Sequence, residues 1–338
     1  MAEAIPFSKG TLVLVTGATG FTGAVLTRKL CERGARVRAI VRASSKRDEL
    51  DELPIEWIEG NVYDPATVER AVAGVEIIFH VAAAYREAGI TNDMYSKVHV
   101  ESTKLLAQAA LKNPGFKRFV HVSTVGVHGH IENPPANEEY PFSPGDVYQQ
   151  TKLEAELWLR DFAPKHGLSF TVIRPAAIYG PGDKRLLKIF KMAAWPLIPV
   201  LGSARGQLYH LIHVDDLTEI FILAAVHPQA VGEVFIGGDP AALALTDILR
   251  IISSEYGRKA RIVRIPAWPF FWAAAVYEAV CRPFGWSPPI YRRRVAFFTK
   301  DRSFDTSKVR NRLGYTYGQT TEEGLRATAR WYRAQGWV

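Results

Sequence analysis

A short apolar run, Thr11–Thr16 (TLVLVT), leads into a loop with glycines at Gly17, Gly20 and Gly23, and the loop opens a helical pattern over Phe21–Arg33 closed by Gly34. That succession limits the fold more than any other feature. An unbroken apolar strand needs cover on both faces, and a helix starting a few residues later must return across one of them. The pattern recurs. Strands are expected at Ala35–Val41, Ile55–Glu59, Glu76–Val81, Arg118–Ser123 and Phe170–Ile173, with helices at about 64–73, 92–112 and 147–165. Strands alternating with helices predict an α/β fold built on a doubly wound parallel sheet. Beyond residue 175 the pattern turns irregular and richer in Pro and Trp, as expected of insertions that return to the sheet rather than a separately folding unit.

The loop Thr16-Gly17-Ala18-Thr19-Gly20-Phe21-Thr22-Gly23 has the spacing G-x-x-G-x-x-G. Glycines allow a tight turn and close backbone approach to a pyrophosphate, and the helix N-terminus offers free N–H groups and a partial positive charge. A purely structural turn is the alternative, but the position between strand and helix predicts dinucleotide binding through Gly17, Thr19, Gly20, Phe21, Thr22 and Gly23. An acidic residue at the end of the second strand would bind the adenosine ribose hydroxyls of NAD. Here Arg42 stands there, followed by Ala43, Ser44, Ser45, Lys46 and Arg47. An Arg can pair bidentately with a 2′-phosphate. This predicts NADP(H) as cofactor, with NAD possible and an ordinary polar loop as the plain alternative. Asn61 and Val62 end the third strand and Ala82 and Ala83 follow the fourth, both at carboxyl ends where such sheets bind ligands.

Tyr148 and Lys152 lie four residues apart on one face of a predicted helix, and Ser123-Thr124 ends the fifth strand. A phenol titrates at about 10, too high for an efficient base near neutrality. A neighbouring ammonium and a bound nicotinamide cation favour its phenolate. Ser123 would hydrogen-bond the substrate oxygen while hydride passes between the nicotinamide and the carbon bearing that oxygen.

With these residues the chain resembles the extended short-chain dehydrogenase/reductases over nearly its whole length. The carriers are Thr16–Gly23, Ser123-Thr124, Tyr148-x-x-x-Lys152, Arg174-Pro175 with Tyr179-Gly180-Pro181, His213-Val214-Asp215-Asp216, Phe304–Lys308, Leu313-Gly314-Tyr315 and the closing Glu322–Trp331 helix. The resemblance implies a Rossmann-type cofactor domain over 1–175, its sheet completed by about 207–237, and a smaller, mostly helical substrate lobe over 176–338. It also implies Tyr148 as acid/base, Lys152 on the nicotinamide ribose, Ser123 on the substrate oxygen, Pro175 among the cofactor contacts, and a homodimer through the helices at 92–112 and 147–165.

Within that family, nucleotide-sugar enzymes tend to carry an Asn where Ala177 stands and a diphosphate-binding Arg where Tyr209 stands, and their dehydratases an Asp-Glu pair where Val125 and Gly126 follow Thr124. Arg42 and Arg174-Pro175 instead look like the 3β-hydroxysteroid dehydrogenase and dihydroflavonol reductase branch. The implied activity is interconversion of a secondary alcohol and a ketone on a small hydrophobic substrate with a bulky, sterol-like or flavonoid-like ring system; a nucleotide-sugar epimerase with tightly held NAD is the alternative. Candidate substrate contacts are Thr124, Tyr85, Ala177, Trp195, Trp268 and Trp272, in a lobe that also carries Trp286, Phe270, Phe271, Phe284, Tyr277 and Tyr291. Two positions depart from the family: His99 replaces a frequent Asn, and Asn61 a frequent Asp.

Residues 1–249 carry 25 basic and 28 acidic side chains, residues 250–338 carry 17 and 6, so the net charge of +8 belongs to the last quarter of the chain. Nothing resembling a nucleic-acid-binding motif accompanies the basic run Arg292–Arg294, so no nucleic-acid partner is expected. Ile265–Tyr277 is uncharged but too short to span a bilayer, which needs about 20 residues; a pocket wall or lid over the substrate is the first expectation for it, and with its basic flanks 265–294 is also a candidate for peripheral membrane contact, a solvated basic face being the plain alternative. Two cysteines form no disulfide framework, the histidines have no metal spacing, and Met1–Gly10 has no signal-peptide core, so a metal-free, cytoplasmic, at most membrane-peripheral protein is expected.

Overall fold

Successive residues of β1 (Leu12–Thr16) point to opposite faces of the sheet. Both faces are buried: Val13 and Val15 join one apolar cluster with Leu26, Leu30, Ile220 and Phe221, and Leu14 joins another with Ile78, Phe119, Leu106 and Leu159. A strand covered twice has no polar side to show, which is why TLVLVT lacks alternation. The computed structural model describes residues 9–84, 91–202, 207–281, 283 and 301–338. Tyr85, Phe284, Trp286, Tyr291 and Arg292–Arg294 lie outside them.

Six strands join β1: β2 (Arg36–Val41), β3 (Ile55–Glu59), β4 (Ile77–His80), β5 (Arg118–Val122), β6 (Phe170–Pro175) and, after short strands β7 (Ala177–Tyr179), β8 (Ile198–Leu201), β9 (Leu208–Tyr209) and β10 (Leu211–His213), the strand β11 (Val234–Gly237). The order is β11-β6-β5-β4-β1-β2-β3 with every neighbouring pair parallel. This is the Rossmann-type doubly wound arrangement, and it reverses direction between β1 and β4, where a crevice opens at the carboxyl ends. Of the segment 207–237, only β11 enters this sheet. β10 pairs with β7, which has left the sheet beyond Pro175, and β9 pairs with β12 (Leu243–Ala244).

The helices follow the crossovers: α1 (Phe21–Glu32), α2 (Pro65–Val72), α3, α4 (Val147–His166), α5 (Leu187–Ala193), α6 (Val214–Val226), α7 (Leu245–Glu255), α8 (Trp268–Cys281), α9 (Ser307–Leu313) and α10 (Thr321–Ala334). α3 is not the uniform helix expected over 92–112. It runs through Asn92–Ser96, a wider π-type turn at Lys97–Glu101, then Ser102–Ala110. α1 and α6 cover one face of the sheet, and α2, α3 and α4 the other. A third apolar cluster forms the second lobe, where Tyr179, Phe190, Ile198 and Ile248 meet Leu325 and Tyr332. The chain returns from it to the sheet, because Val309 and Leu313 of α9 belong to the first cluster.

The His213-Val214-Asp215-Asp216 stretch holds that returning segment. Asp216 Oδ1 accepts hydrogen bonds from the Tyr315 hydroxyl at 2.6 Å and the Gly318 N–H at 2.8 Å. His210 accepts from the Phe304 N–H at Nδ1 (3.0 Å) and, through Nε2–H, donates to the Asp239 carbonyl (2.7 Å).

One buried ion pair ties α4 to the sheet. Glu156 and Arg174 are both fully buried, and the guanidinium donates from Nε (3.1 Å) and Nη2 (2.5 Å) to the two carboxylate oxygens. Arg174 Nη1 also donates to His128 Nε2 at 3.0 Å and the Glu138 carbonyl at 2.7 Å. Removing one partner strands the other charge in the interior. Glu156→Leu is expected to lower unfolding free energy by about 3–5 kcal/mol in urea titrations, and Glu156→Leu/Arg174→Leu to recover part of that loss. A single variant within about 1 kcal/mol of the parent would show that the pair does not hold the helix.

Candidate active site

The glycine loop sits at the point where the strand order reverses. Gly17 has φ +75°, and a Cβ there would lie 2.9 Å from the Cα and N of Ala82, just past β4. A Cβ on Gly23 would fall 2.0 Å from the Gly17 carbonyl oxygen. The Gly20 N–H closes the turn onto Gly17 O at 3.0 Å, and the first intrahelical bond of α1 runs from Ala24 N–H to Gly20 O at 2.8 Å. Gly20 brings no capping side chain, so the N–H groups of Phe21, Thr22 and Gly23 remain for a ligand at the positive end of the helix dipole. Thr19 is half-buried beside them. A cradle that side chains would fill, ending in uncapped N–H groups, fits a dinucleotide pyrophosphate.

Arg42 leaves the end of β2 exposed to solvent, with no ion pair among the described residues. The acidic group nearest in the neighbouring strand, Glu59, is approached by Arg47 at 3.6 Å, and Arg47 in turn lies over the Trp57 ring. Arg42 is therefore the guanidinium at this strand end that stands without a described acidic partner. Asn61 and Val62 are half-buried past β3, and the Asn61 carbonyl accepts the Asp64 N–H that starts α2. Past β4, Ala82 is buried and Ala83 exposed. Pro175 is buried at the end of β6.

Asp146 caps α4, accepting the Gln149 N–H at 2.9 Å, which puts Tyr148 in the first turn. Lys152 lies one turn on, 2% exposed, and its ammonium donates to the carbonyls of Val122 (3.0 Å) and Ala82 (3.4 Å). It thus bridges the ends of β4 and β5. Burial pushes its pKa down to about 7. Ser123 follows Val122 directly; it is 3% exposed, and its Oγ is buried without a hydrogen-bond partner. Buried hydroxyls are normally paired, so this atom fits a role on a bound oxygen. The structure brings Ser123, Tyr148 and Lys152 to one edge of the sheet. Thr124 is otherwise engaged, its Oγ1 accepting the Gly126 N–H at 3.0 Å.

His99, at the middle of the π-type turn, joins this edge to the β4 loop. Its Nε2 accepts the Ala84 N–H at 3.1 Å, which leaves Nδ1 protonated to donate to Thr151 Oγ1 at 2.8 Å. Its ring meets Tyr148 edge-on, with centroids 5.3 Å apart. Burial, then Lys152, pushes its pKa down to about 2. Beneath it lie residues that motif reading passes over. Register aligns Thr16 with His80 and His80 with His121 across β1, β4 and β5. His80 Nδ1 bonds Thr16 Oγ1 at 2.8 Å and Nε2 bonds Ser102 Oγ at 3.1 Å. His121 is fully buried with neither ring nitrogen paired. Thr16 and His80 close apolar strand runs, but no sequence signal joins them to His121, which is followed by Val122 within β5.

The aromatic candidates are placed differently. Trp195, Trp268 and Trp272 stand 51%, 67% and 69% exposed. Ala177 is half-buried against the second-lobe core.

Known proteins share this architecture. The model of the NAD dependent epimerase/dehydratase family matches residues 13–237. The chain is 30% identical to a Synechocystis sp. protein named "Putative dihydroflavonol 4-reductase", over 96% of this chain and 95% of that one. It is 28% identical to a 3 beta-hydroxysteroid dehydrogenase/Delta 5-->4-isomerase of Mycobacterium tuberculosis (93% and 88%) and 26% identical to a UDP-glucose 4-epimerase of Vibrio cholerae (94% and 94%). Among solved structures, that of gox2253 superposes with a TM-score of 0.84 at 30% identity, covering 97% of this chain and 100% of that one.

The histidine layer makes a pH prediction. Burial pushes His80 down to about 3 and His99 to about 2, and lowers His121 as well. The unfolded chain protonates each below about 6.5 while the folded chain does not, so their contribution is complete above that pH and is lost as pH falls through it, each by about 1.4 kcal/mol per unit. His121→Leu should reduce the acid slope of stability by about one proton's worth in urea titrations between about pH 5 and 7. An unchanged slope would mean His121 already titrates in the folded state.

Proposed function

The chain belongs to the NAD-dependent epimerase/dehydratase family of NAD(P)-dependent enzymes, and from that premise we propose that it is an NADP(H)-dependent oxidoreductase interconverting a secondary alcohol and a ketone on a bulky, apolar, ring-containing substrate. The observation that carries this reading is the convergence of a buried, unpartnered Ser123 Oγ with Lys152, whose ammonium is held by the carbonyl of the preceding residue, Val122. Tyr148 precedes Lys152 by one helical turn.

A bound nicotinamide supplies or accepts the hydride. Gly17, Gly20 and Gly23 with the uncapped turn of α1 would hold the pyrophosphate, and Arg42 would take the 2′-phosphate. Ser123 Oγ donates a hydrogen bond to the substrate oxygen and holds it toward Tyr148. In reduction the Tyr148 hydroxyl gives its proton to that oxygen, and in oxidation the phenolate takes it back. Lys152 as an ammonium stabilises the phenolate, and ribose hydroxyls would supply further acceptors for its N–H groups.

The exposed Arg42, without an ion pair among the described residues, supports NADP(H) over NAD(H). The dihydroflavonol reductase and hydroxysteroid dehydrogenase names of the relatives support an apolar ring substrate. The UDP-glucose 4-epimerase relative favours a second reading, a nucleotide-sugar epimerase retaining NAD. Ala177 and Tyr209, at the positions where such enzymes tend to carry Asn and Arg, weigh against it. Purified protein that holds NAD through gel filtration and turns over a nucleotide sugar without added cofactor would establish the epimerase instead.

Tyr148→Phe is expected to lower kcat by about 10²–10⁴ with NADP(H) affinity essentially unchanged, measured by turnover and by fluorescence titration. Near-normal turnover would remove Tyr148 from the mechanism. Arg42→Asp should shift the NADP-to-NAD affinity ratio toward NAD by at least about tenfold, since a charge-assisted bond is replaced by repulsion. An unchanged ratio would place the selectivity pocket elsewhere.

A further inference from the structure

Helix α8 has a composition at odds with its surroundings. Its sequence, WPFFWAAAVYEAVC, has one charged residue, Glu278. A helix apolar around its whole circumference is ordinarily buried, yet in α8 only Ala274 and Cys281 are. Trp268, Trp272, Val276 and Val280 are spaced four apart and stand 67%, 69%, 54% and 53% exposed, so they form one stripe along the helix. Tyr277, 44% exposed, widens it.

The adjoining strand pair continues the apolar surface. β13 (Ile262–Ile265), three residues before α8, pairs in parallel with β8. Val263 is exposed on β13, and Trp195 and Leu197 are exposed just ahead of β8. Arg258 Nη1 donates to the Ala194 carbonyl and ties the two segments together. Of the twelve large apolar side chains exposed among the described residues, eight fall in these segments, which makes a patch rather than scatter.

The charges around this patch are almost all of one sign. Lys188, Lys191, Arg258, Lys259, Arg261 and Arg264 are exposed, and none is ion-paired with a described residue. Over 187–202 and 256–281 the one acidic residue is Glu278. A second copy of the chain is poorly suited to cover this face, because a two-fold interface would set the same basic groups against each other. Anionic headgroups complement both features: tryptophans favour the headgroup boundary, and basic side chains reach lipid phosphates. At 14 residues, α8 is too short to cross a bilayer, and no helix of the described residues is long and apolar enough to do so. It can lie in the plane of the interface.

We propose that α8, with the neighbouring β8–β13 edge, seats this protein on an anionic membrane surface, Trp268 and Trp272 entering the headgroup layer and Arg258, Lys259, Arg261 and Arg264 facing lipid phosphates. The test is co-sedimentation of the full chain with phosphatidylcholine vesicles with and without phosphatidylglycerol, at low and high salt. Binding should be at least about tenfold stronger to the anionic vesicles and should weaken with salt. It should fall at least about tenfold in Trp268→Ser/Trp272→Ser and, independently, in Arg261→Glu/Arg264→Glu, with thermal midpoints near that of the parent protein. Absence of a preference for anionic vesicles, or binding unaffected by both double variants, would overturn the proposal. So would light scattering that shows a dimer dissolved by the tryptophan variant in a protein that ignores vesicles, because a second copy would then be the cover.

Discussion

The salt bridge between Glu156 and Arg174 is the contact on which the placement of the site depends. Glu156 lies on α4 one turn beyond Lys152 and two beyond Tyr148, so fixing it against β6 fixes the same face of the helix over the carboxyl ends of β4 and β5. An apolar contact of equal area would allow the helix to rotate or slide with little penalty. A bidentate guanidinium–carboxylate pair in the interior does not, because both charges are stranded if the geometry is lost. Arg174 reaches further, to His128 and Glu138, so the segment after β5 is drawn to the same anchor.

Around this anchor the protein keeps its site floor polar but uncharged. His80, His99 and His121 are buried, and burial holds all three neutral. Neutral rings avoid adding positive charge beside Lys152, which is itself pushed down to about 7 by burial. His99 suits this layer well as the replacement for an Asn. Like an amide it accepts on one side and donates on the other, and it links the β4 loop to Thr151 on α4. The widened turn at Lys97–Glu101 brings it there.

The second lobe is organised on another principle. Its core is apolar and closed by α10, whereas α8 and the β8–β13 edge leave large apolar groups in solvent within a basic surround. The net positive charge of the chain falls in residues 250–338 and is divided between two places: Arg258, Lys259, Arg261 and Arg264 lie beside this apolar surface, whereas Lys308 and Arg312 of α9 pair with Glu233 next to β11.

The doubly wound sheet, the glycine loop, Arg42 at the end of β2, and the positions of Ser123 at a strand end and of Tyr148 and Lys152 on one helix were legible in the amino-acid order alone. Each is local: strand burial follows from an unbroken apolar run, glycine is needed where a Cβ would strike Gly17 O or Ala82, and a four-residue interval on a helix places two side chains on one face. The tertiary structure alone decided which polar groups meet across long separations. Nothing near Thr16, His80 or His121 in sequence marks them as one row; parallel register brings them together. Nor does composition distinguish aromatic residues that line a pocket from those that face outward, because apolarity measures the gain from leaving water and not which partner provides the cover. Trp195, Trp268 and Trp272 read as substrate contacts in the sequence, and only the packing of β8, β13 and α8 set them on the surface.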